Sequence, residues 1–214
     1  NNPEYRLVEK SFLQKEMIDL GGQTSPAFFD HDMDGDLDLF IATRGNFAET
    51  HYDHDFIVLY ENIGSSAQPE FKLVDGDFLG LKSKNYVGIS ICFGDVDDDG
   101  DDDLLLGQKD GNLTFFENVA GPGNVPGFQK KTDLLDSIDV GLWSYPAVYD
   151  VNKDGMNDLL VGGFYGSVAY YQKISSQPIK FKKVTDTFGG ITFPRPKRES
   201  ASPLVFDVNN DGKD

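Results

Sequence analysis

The chain is short of cysteine, tryptophan, histidine and positive charge. Its 214 residues include one cysteine, one tryptophan, three histidines, and 19 lysines and arginines against 36 acids. A lone Cys92 excludes internal disulfides, and its apolar run Ile89-Ser90-Ile91-Cys92-Phe93 reads as the setting of a buried thiol. No basic stripe exists that could neutralise phosphates, which sets nucleic acid aside as a partner. No apolar run reaches the ~20 residues of a membrane-spanning helix. A helical period is absent except over residues 10–18. The chain opens on Asn1 with neither Met nor a signal-like segment, so a processed product or a piece of a longer protein is expected.

What the chain has instead is aspartate, concentrated. Asp30-His31-Asp32-Met33-Asp34-Gly35-Asp36-Leu37-Asp38 recurs as Asp95 to Asp103, as Asp150 to Asp158, and as an unfinished copy from Asp207 to Asp214. The shared pattern is D-x-[DN]-x-D-G-x-x-D, with first residues 65, 55 and 57 apart, which points to a repeat architecture. These four stretches hold 18 of the 36 acids and two of the 19 bases, so the net charge of −17 is almost entirely theirs. One domain is the default for this length.

The chemistry of one copy follows from its spacing. Oxygens at positions 1, 3 and 5 converge when the chain curls, and glycine at position 6 permits the turn. Position 7 offers its backbone carbonyl and the acid at position 9 closes the shell. Hard oxygen donors in this number suit Ca2+ better than zinc or copper, and Mg2+ would keep more water. The expected ligands are Asp30, Asp32, Asp34, Asp36 (backbone) and Asp38 in the first loop. The second offers Asp95, Asp97, Asp99, Asp101 (backbone) and Asp103, and the third Asp150, Asn152, Asp154, Met156 (backbone) and Asp158. With one carboxylate fewer, the third should bind more weakly. The fourth, from Asp207, Asn209 and Asp211, lacks a closing ligand. Three complete Ca2+ sites and one incomplete site are therefore expected. The plain alternative is a set of solvated acidic turns. An EF-hand is excluded, because position 12 falls on Ile41, Leu106 and Val161 inside β-like runs instead of on a glutamate.

Around each loop the apolar pattern repeats. An inner strand precedes it (25–29, 89–93, 145–149, 202–206), with proline at its start in three copies, where no ladder donor is lost. A second strand follows (37–43, 104–108, 159–163), apolar on both faces and so covered on both. Turns at Asp110-Gly111 and Tyr165-Gly166 lead into a third strand (57–62, 113–118, 168–172). An outer strand alternates apolar and charged residues (3–9, 69–75, 127–131, 180–184). Four antiparallel strands per repeat describe an all-β fold, a β-propeller of four-stranded antiparallel blades. About three blades are complete, with partial blades at both ends. The divisions are 1–24 (outer strand of a preceding blade and crossover), 25–87, 88–143 and 144–199 (blades), and 200–214 (first strand and truncated loop of another). A β-sandwich would explain the strands but not the recurring acidic hairpin.

The motif, its place in the hairpin between first and second strands, and runs such as Ser25-Pro26-Ala27-Phe28-Phe29-Asp30 and Leu59-Tyr60-Glu61-Asn62-Ile63-Gly64 resemble the FG-GAP/VCBS repeats. That family includes the integrin α-subunit heads. The resemblance covers essentially the whole chain and is most specific in the acidic loops. It implies a propeller of about seven blades, of which this chain would be a slice, or a partner to a second copy completing the ring. It also implies a secreted or cell-surface protein with structural calcium, a ligand-binding or adhesion module for protein or glycan. The ligand would bind on the face opposite the calcium loops, and self-association could follow through open blade edges. No catalysis is expected.

The enzyme alternative is a calcium-dependent polysaccharide lyase, for which Arg44, His51, His54, Arg195 and Arg198 are the candidate groups. A third reading is an architectural spacer in a multidomain secreted protein. His51 and His54, in the long connection 46–55, form either a second metal or ligand site or a polar insertion. Tyr86 and Trp143 would stack on sugar rings or pack between blades. The basic cluster 194–198 would meet an acidic ligand or stay an exposed loop. Asn112-Leu113-Thr114 is a glycosylation sequon, meaningful in a eukaryotic secretory pathway.

Overall fold

A computed structural model describes residues 20, 22–44, 54–191 and 200–205. Among these, twelve strands form three four-stranded antiparallel sheets, each built from one consecutive stretch of chain. The first holds β1 (Gly22–Phe29), β2 (Asp38–Arg44), β3 (Asp55–Asn62) and β4 (Phe71–Asp75). The second holds β5 (Ser90–Gly94), β6 (Asp103–Gly107), β7 (Leu113–Asn118) and β8 (Phe128–Thr132). The third holds β9 (Tyr145–Tyr149), β10 (Asp158–Gly162), β11 (Val168–Ser176) and β12 (Ile179–Thr185). Each acidic loop joins the first two strands of its sheet, as expected from its sequence position.

The sheets stack face to face with β1, β5 and β9 side by side. This explains why the second strands are apolar throughout. A strand's side chains alternate between faces, so Leu104 and Leu106 enter the core shared with the first sheet, beside Phe40, Ala42 and Ile57. Leu105 points the other way, into the core shared with Leu159, Val161 and Tyr171 of the third. Leu160 faces a further cluster with Ala147, Val168 and Tyr170, against which Ala201 and Val205 pack. A fully buried leucine contributes about 1.5–3 kcal/mol, and both faces of one strand draw on it. Between the first two sheets, Phe29 stacks on Phe93 with ring centroids 4.5 Å apart.

At the end away from the acidic loops, the sheets are sewn by backbone. Ser144 N–H donates to the Gln108 carbonyl (2.9 Å) and Ala201 N–H to that of Gly163 (3.1 Å), the same contact one repeat later. Gly107 and Gly162 make room for it. A Cβ on Gly107 would overlap the Ser144 carbonyl, and one on Gly162 that of Ala201.

Two expectations need correction, and one feature was not foreseen. The segment expected as a last inner strand has no strand over its described part, 200–205, although it packs where such a strand would lie. The connections after β4, β8 and β12 carry short 3-10 turns at Phe78–Ser83, Leu135–Ser137 and Phe188–Gly190. Phe78 and Leu135 plug the first two inter-sheet cores. Cys92 is partly exposed rather than fully buried as a residue, though desolvation pushes its thiol up to about 11. The outer strand at 3–9 and the helical period at 10–18 lie outside the described residues.

Candidate metal centres

The three loops share their backbone shape and two sets of hydrogen bonds, and differ at the N–H of position 5. There Asp34 donates to Asp32 Oδ1 (3.2 Å), Asp99 to Asp95 Oδ1 (3.1 Å), and Asp154 to both Asp150 Oδ1 (3.1 Å) and Asn152 Oδ1 (2.8 Å). At position 1, Asp30 Oδ2 accepts from Gly35 N–H (3.0 Å), Asp95 Oδ2 from Gly100 N–H (3.0 Å) and Asp150 Oδ2 from Gly155 N–H (2.9 Å). At position 5, Asp34, Asp99 and Asp154 accept through Oδ1 from the N–H of Asp36 (3.0 Å), Asp101 (3.2 Å) and Met156 (3.0 Å). The glycine at position 6 has φ of 96, 98 and 90°. Position 4 is left-handed too, at Met33 (64°), Asp98 (61°) and Lys153 (61°). Three unrelated side chains in one disfavoured backbone region show that the loop's hydrogen bonds impose the shape.

At position 1 the loop's own N–H groups occupy one oxygen of Asp30 and both oxygens of Asp95 and Asp150. Asp30 Oδ1 and Asp97 Oδ1 are buried without a hydrogen-bond partner, a costly arrangement unless a cation completes it. Two trios have carboxylate oxygens within 4.8 Å of one another: Asp30, Asp32 and Asp38, and Asp95, Asp97 and Asp99. The crowding has an electrostatic signature. Desolvation, then repulsion from Asp99, pushes Asp97 up to about 6. Either trio could hold a metal ion. No comparable trio of acids forms in the third loop, where position 3 is Asn152 and its amide donates to Asp154 Oδ2 (2.9 Å). The fourth loop, with Asp207, Asn209 and Asp211, lies outside the described residues.

The closing acids have a second task that their spacing does not reveal. Asp38, Asp103 and Asp158 are buried, 2%, 0% and 0% exposed. Each binds two backbone N–H groups at once. Oδ2 takes position 2 of its own loop: His31 (2.9 Å), Val96 (2.9 Å) and Val151 (3.2 Å). Oδ1 takes the third strand: Asn62 (2.8 Å), Asn118 (2.8 Å) and Lys173 (2.7 Å). The acid thus anchors the loop to the sheet. Asp38 also belongs to the first trio, whereas Asp103 stands outside the second. Desolvation pushes Asp103 up to about 7, against the pull of its two N–H donors.

Sequence reasoning missed two partners of the loops. Asn62 and Asn118 end the third strands and latch the turn that follows. Asn62 Oδ1 accepts from Gly64 (3.2 Å) and Glu70 (3.0 Å), and Asn118 Oδ1 from Ala120 (3.2 Å) and Gly127 (3.0 Å). Their shared context, Glu61-Asn62 and Glu117-Asn118, was the available signal. The other is Asp98, whose carboxylate lies against the third sheet. Burial alone would raise it, but hydrogen bonds from Lys173, Ser176 and Asn157 N–H hold it below the ordinary carboxylate range.

The remaining candidates divide. Tyr86 lines an open cavity of about 420 Å³ at the end away from the acidic loops, with Ser83, Asn85, Gln108, Lys130 and Asp133, and its hydroxyl donates to Asp133 Oδ1 (3.0 Å). Trp143 does not line it; its indole packs on Gly88 beside Lys109. Asn112 of the sequon donates its amide to Asp110 Oδ2 (2.9 Å). His54 is partly buried, with no hydrogen-bond partner at Nδ1. His51, Arg195, Arg198 and the basic cluster lie outside the described residues, and Arg44 is placed by its backbone alone, pairing with Asp55. No helix among the described residues is long and apolar enough to cross a membrane. Compared with family models and with curated proteins, the chain gives no match.

Proposed function

We propose that the chain is a calcium-stabilised region of a β-propeller, related to the FG-GAP/VCBS repeats its loops resemble, and that it serves as a secreted or cell-surface ligand-binding module. One observation carries the metal reading: acidic loops of the same backbone shape leave buried carboxylate oxygens, Asp30 Oδ1 and Asp97 Oδ1, with no protein partner. The donors on offer are carboxylate and carbonyl oxygens with no thiolate or imidazole among the trios, which selects a hard divalent cation. Three stacked four-stranded sheets with their first strands side by side support the propeller reading.

The ion's part is structural. It neutralises carboxylates that repel one another at hairpin tips, and so couples folding to metal. Ligand binding belongs to the opposite end, where the cavity at Tyr86 offers hydroxyl, amide and paired charged groups to a protein or glycan. Calorimetric titration of chelator-treated chain with Ca2+ tests the metal reading. Saturable heat at both trios is expected, with one site lost in Asp30→Asn/Asp32→Asn and the other in Asp95→Asn/Asp97→Asn. Absence of saturable binding, or unchanged stoichiometry in both double variants, would overturn it. Glycan-array and pull-down screening of the Ca2+-loaded chain, repeated with Tyr86→Ala, tests the ligand face.

A further inference from the structure

Lys173 is a lysine where the preceding sheets have Asn62 and Asn118, and it is completely buried. Its backbone does what theirs does, donating N–H to the closing acid of its own loop, Asp158 Oδ1, at 2.7 Å. Its side chain does something else. Instead of latching its own turn, it crosses to the second sheet's acidic loop, where Nζ donates to the Val96 carbonyl (2.7 Å) and pairs with Asp98 Oδ2 (2.5 Å).

Two neighbours from the third sheet converge on the same carboxylate. Ser176 Oγ donates to Asp98 Oδ2 (2.6 Å) and Asn157 N–H to Asp98 Oδ1 (3.3 Å), while Asn157 Nδ2 reaches the Asp95 carbonyl (2.9 Å). The contact belongs to this pair of sheets. Position 4 is Met33 in the first loop and Lys153 in the third, so of these loops the second alone presents a carboxylate there. At the matching place between the first and second loops lies a cavity of about 440 Å³, walled by Phe28, Met33, Leu37, Asp101 and Asn118. The third sheet is freed to spare a lysine because β11 and β12 close in a tight turn, with Ser176 paired to Ile179, leaving no long turn for an asparagine to hold.

A buried ammonium is stable only with its partners in place, and removing one of them strands a charge. The pair is therefore a rigid link rather than a surface ornament. We propose that Lys173 is a built-in cation that clamps the second acidic loop to the third sheet and keeps that loop in its metal-ready shape whether or not an ion is bound. Among the described residues the first loop has no such clamp, and it depends on its ion. The metal-ready shape and the first loop's dependence on an ion rest on the calcium reading above; the ion pair that ties the second loop to the third sheet does not.

Hydrogen–deuterium exchange of the whole chain, in Ca2+ and in chelator, separates the two. In chelator, amides of residues 31–37 should exchange at least about tenfold faster, while those of 96–102 change less than about threefold. Lys173→Met should make 96–102 open in chelator as the first loop does, and Lys173→Arg should restore protection. Should Lys173→Met fail to fold, Ser176→Ala, which removes one donor to Asp98, is expected to loosen 96–102 several-fold without touching 31–37. The clamp is overturned if wild-type 96–102 opens in chelator as much as 31–37, or if neither variant changes 96–102 there. A first loop indifferent to chelator would instead count against the metal reading, and the variants in chelator would still decide on the clamp.

Discussion

Replacing Asp103 by alanine separates the two tasks that a closing acid can perform. The side chain is 0% exposed and takes the N–H of Val96 (2.9 Å) and of Asn118 (2.8 Å). Hydrogen bonds to a charged group contribute about 1.5–3 kcal/mol each, so two give roughly 3–6 kcal/mol gross. The carboxylate is also desolvated, which pushes it up to about 7 and makes its charged form costly in the metal-free chain. Alanine relieves that strain and strands two buried donors, leaving a net loss of about 3 kcal/mol. For a chain of this size the loss corresponds to a melting temperature lower by about 6–12 °C. The assay is urea unfolding followed by tryptophan fluorescence, run in excess Ca2+ and in chelator. If Asp103 anchors the loop, the loss persists in chelator. Asp97→Asn is the contrast: it should destabilise only the Ca2+-loaded chain, since without metal it removes repulsion from Asp95 and Asp99. An Asp103→Ala loss below about 1 kcal/mol in chelator, with full loss in Ca2+, would show that Asp103 acts as a ligand alone and refute the anchor.

The metal-free chain should become more stable on acidification between about pH 7.5 and 5. Asp97 and Asp103 are raised in the fold to about 6 and about 7, so the folded chain holds protons that the unfolded chain has released, and stability falls as pH rises through that window. In excess Ca2+ the trend reverses, because protons compete with the ion; urea midpoints across pH check both signs. Gly107→Ala forces a methyl onto the Ser144 carbonyl and should cost about 1–3 kcal/mol by the same unfolding assay. Leu105→Ala opens the core between the second and third sheets and should cost about 2–5 kcal/mol, with exchange of β6 and β10 amides rising together.

Much of the strand order was legible because two signals agreed. Period-2 alternation marked the outer strands, and unbroken apolar runs marked the second strands as buried on both faces, which the split of Leu104 and Leu106 from Leu105 confirms. Boundaries drifted where a partner decides them. β1 begins at Gly22 rather than Ser25 because Gly22 pairs with Arg44, and β11 runs on to Ser176 because Ser176 pairs with Ile179. The 3-10 turns escaped notice because Phe78-Leu79-Gly80-Leu81 and Leu134-Leu135 are apolar runs too short to show a period, and only the adjoining sheet turns Phe78 and Leu135 into core.

The acidic loops show where reading a motif stops. Spacing gives the donor atoms, since oxygens two residues apart around a glycine turn converge whatever surrounds them. It does not say how many lone pairs the loop uses on itself, and there the structure adds most. Position 9, read from the pattern as a ligand, is first a bridge between loop and third strand, and it is the same bridge in all three sheets. Position 4, read as a spacer, carries in Asp98 the carboxylate that ties two sheets together. Both belong to pairs that reach outside the loop, Asp103 with Asn118 and Asp98 with Lys173, so the spacing within one loop does not show them. The repeat therefore specifies the hairpin, while departures from the repeat, above all lysine for asparagine at 173, specify how one sheet holds the next.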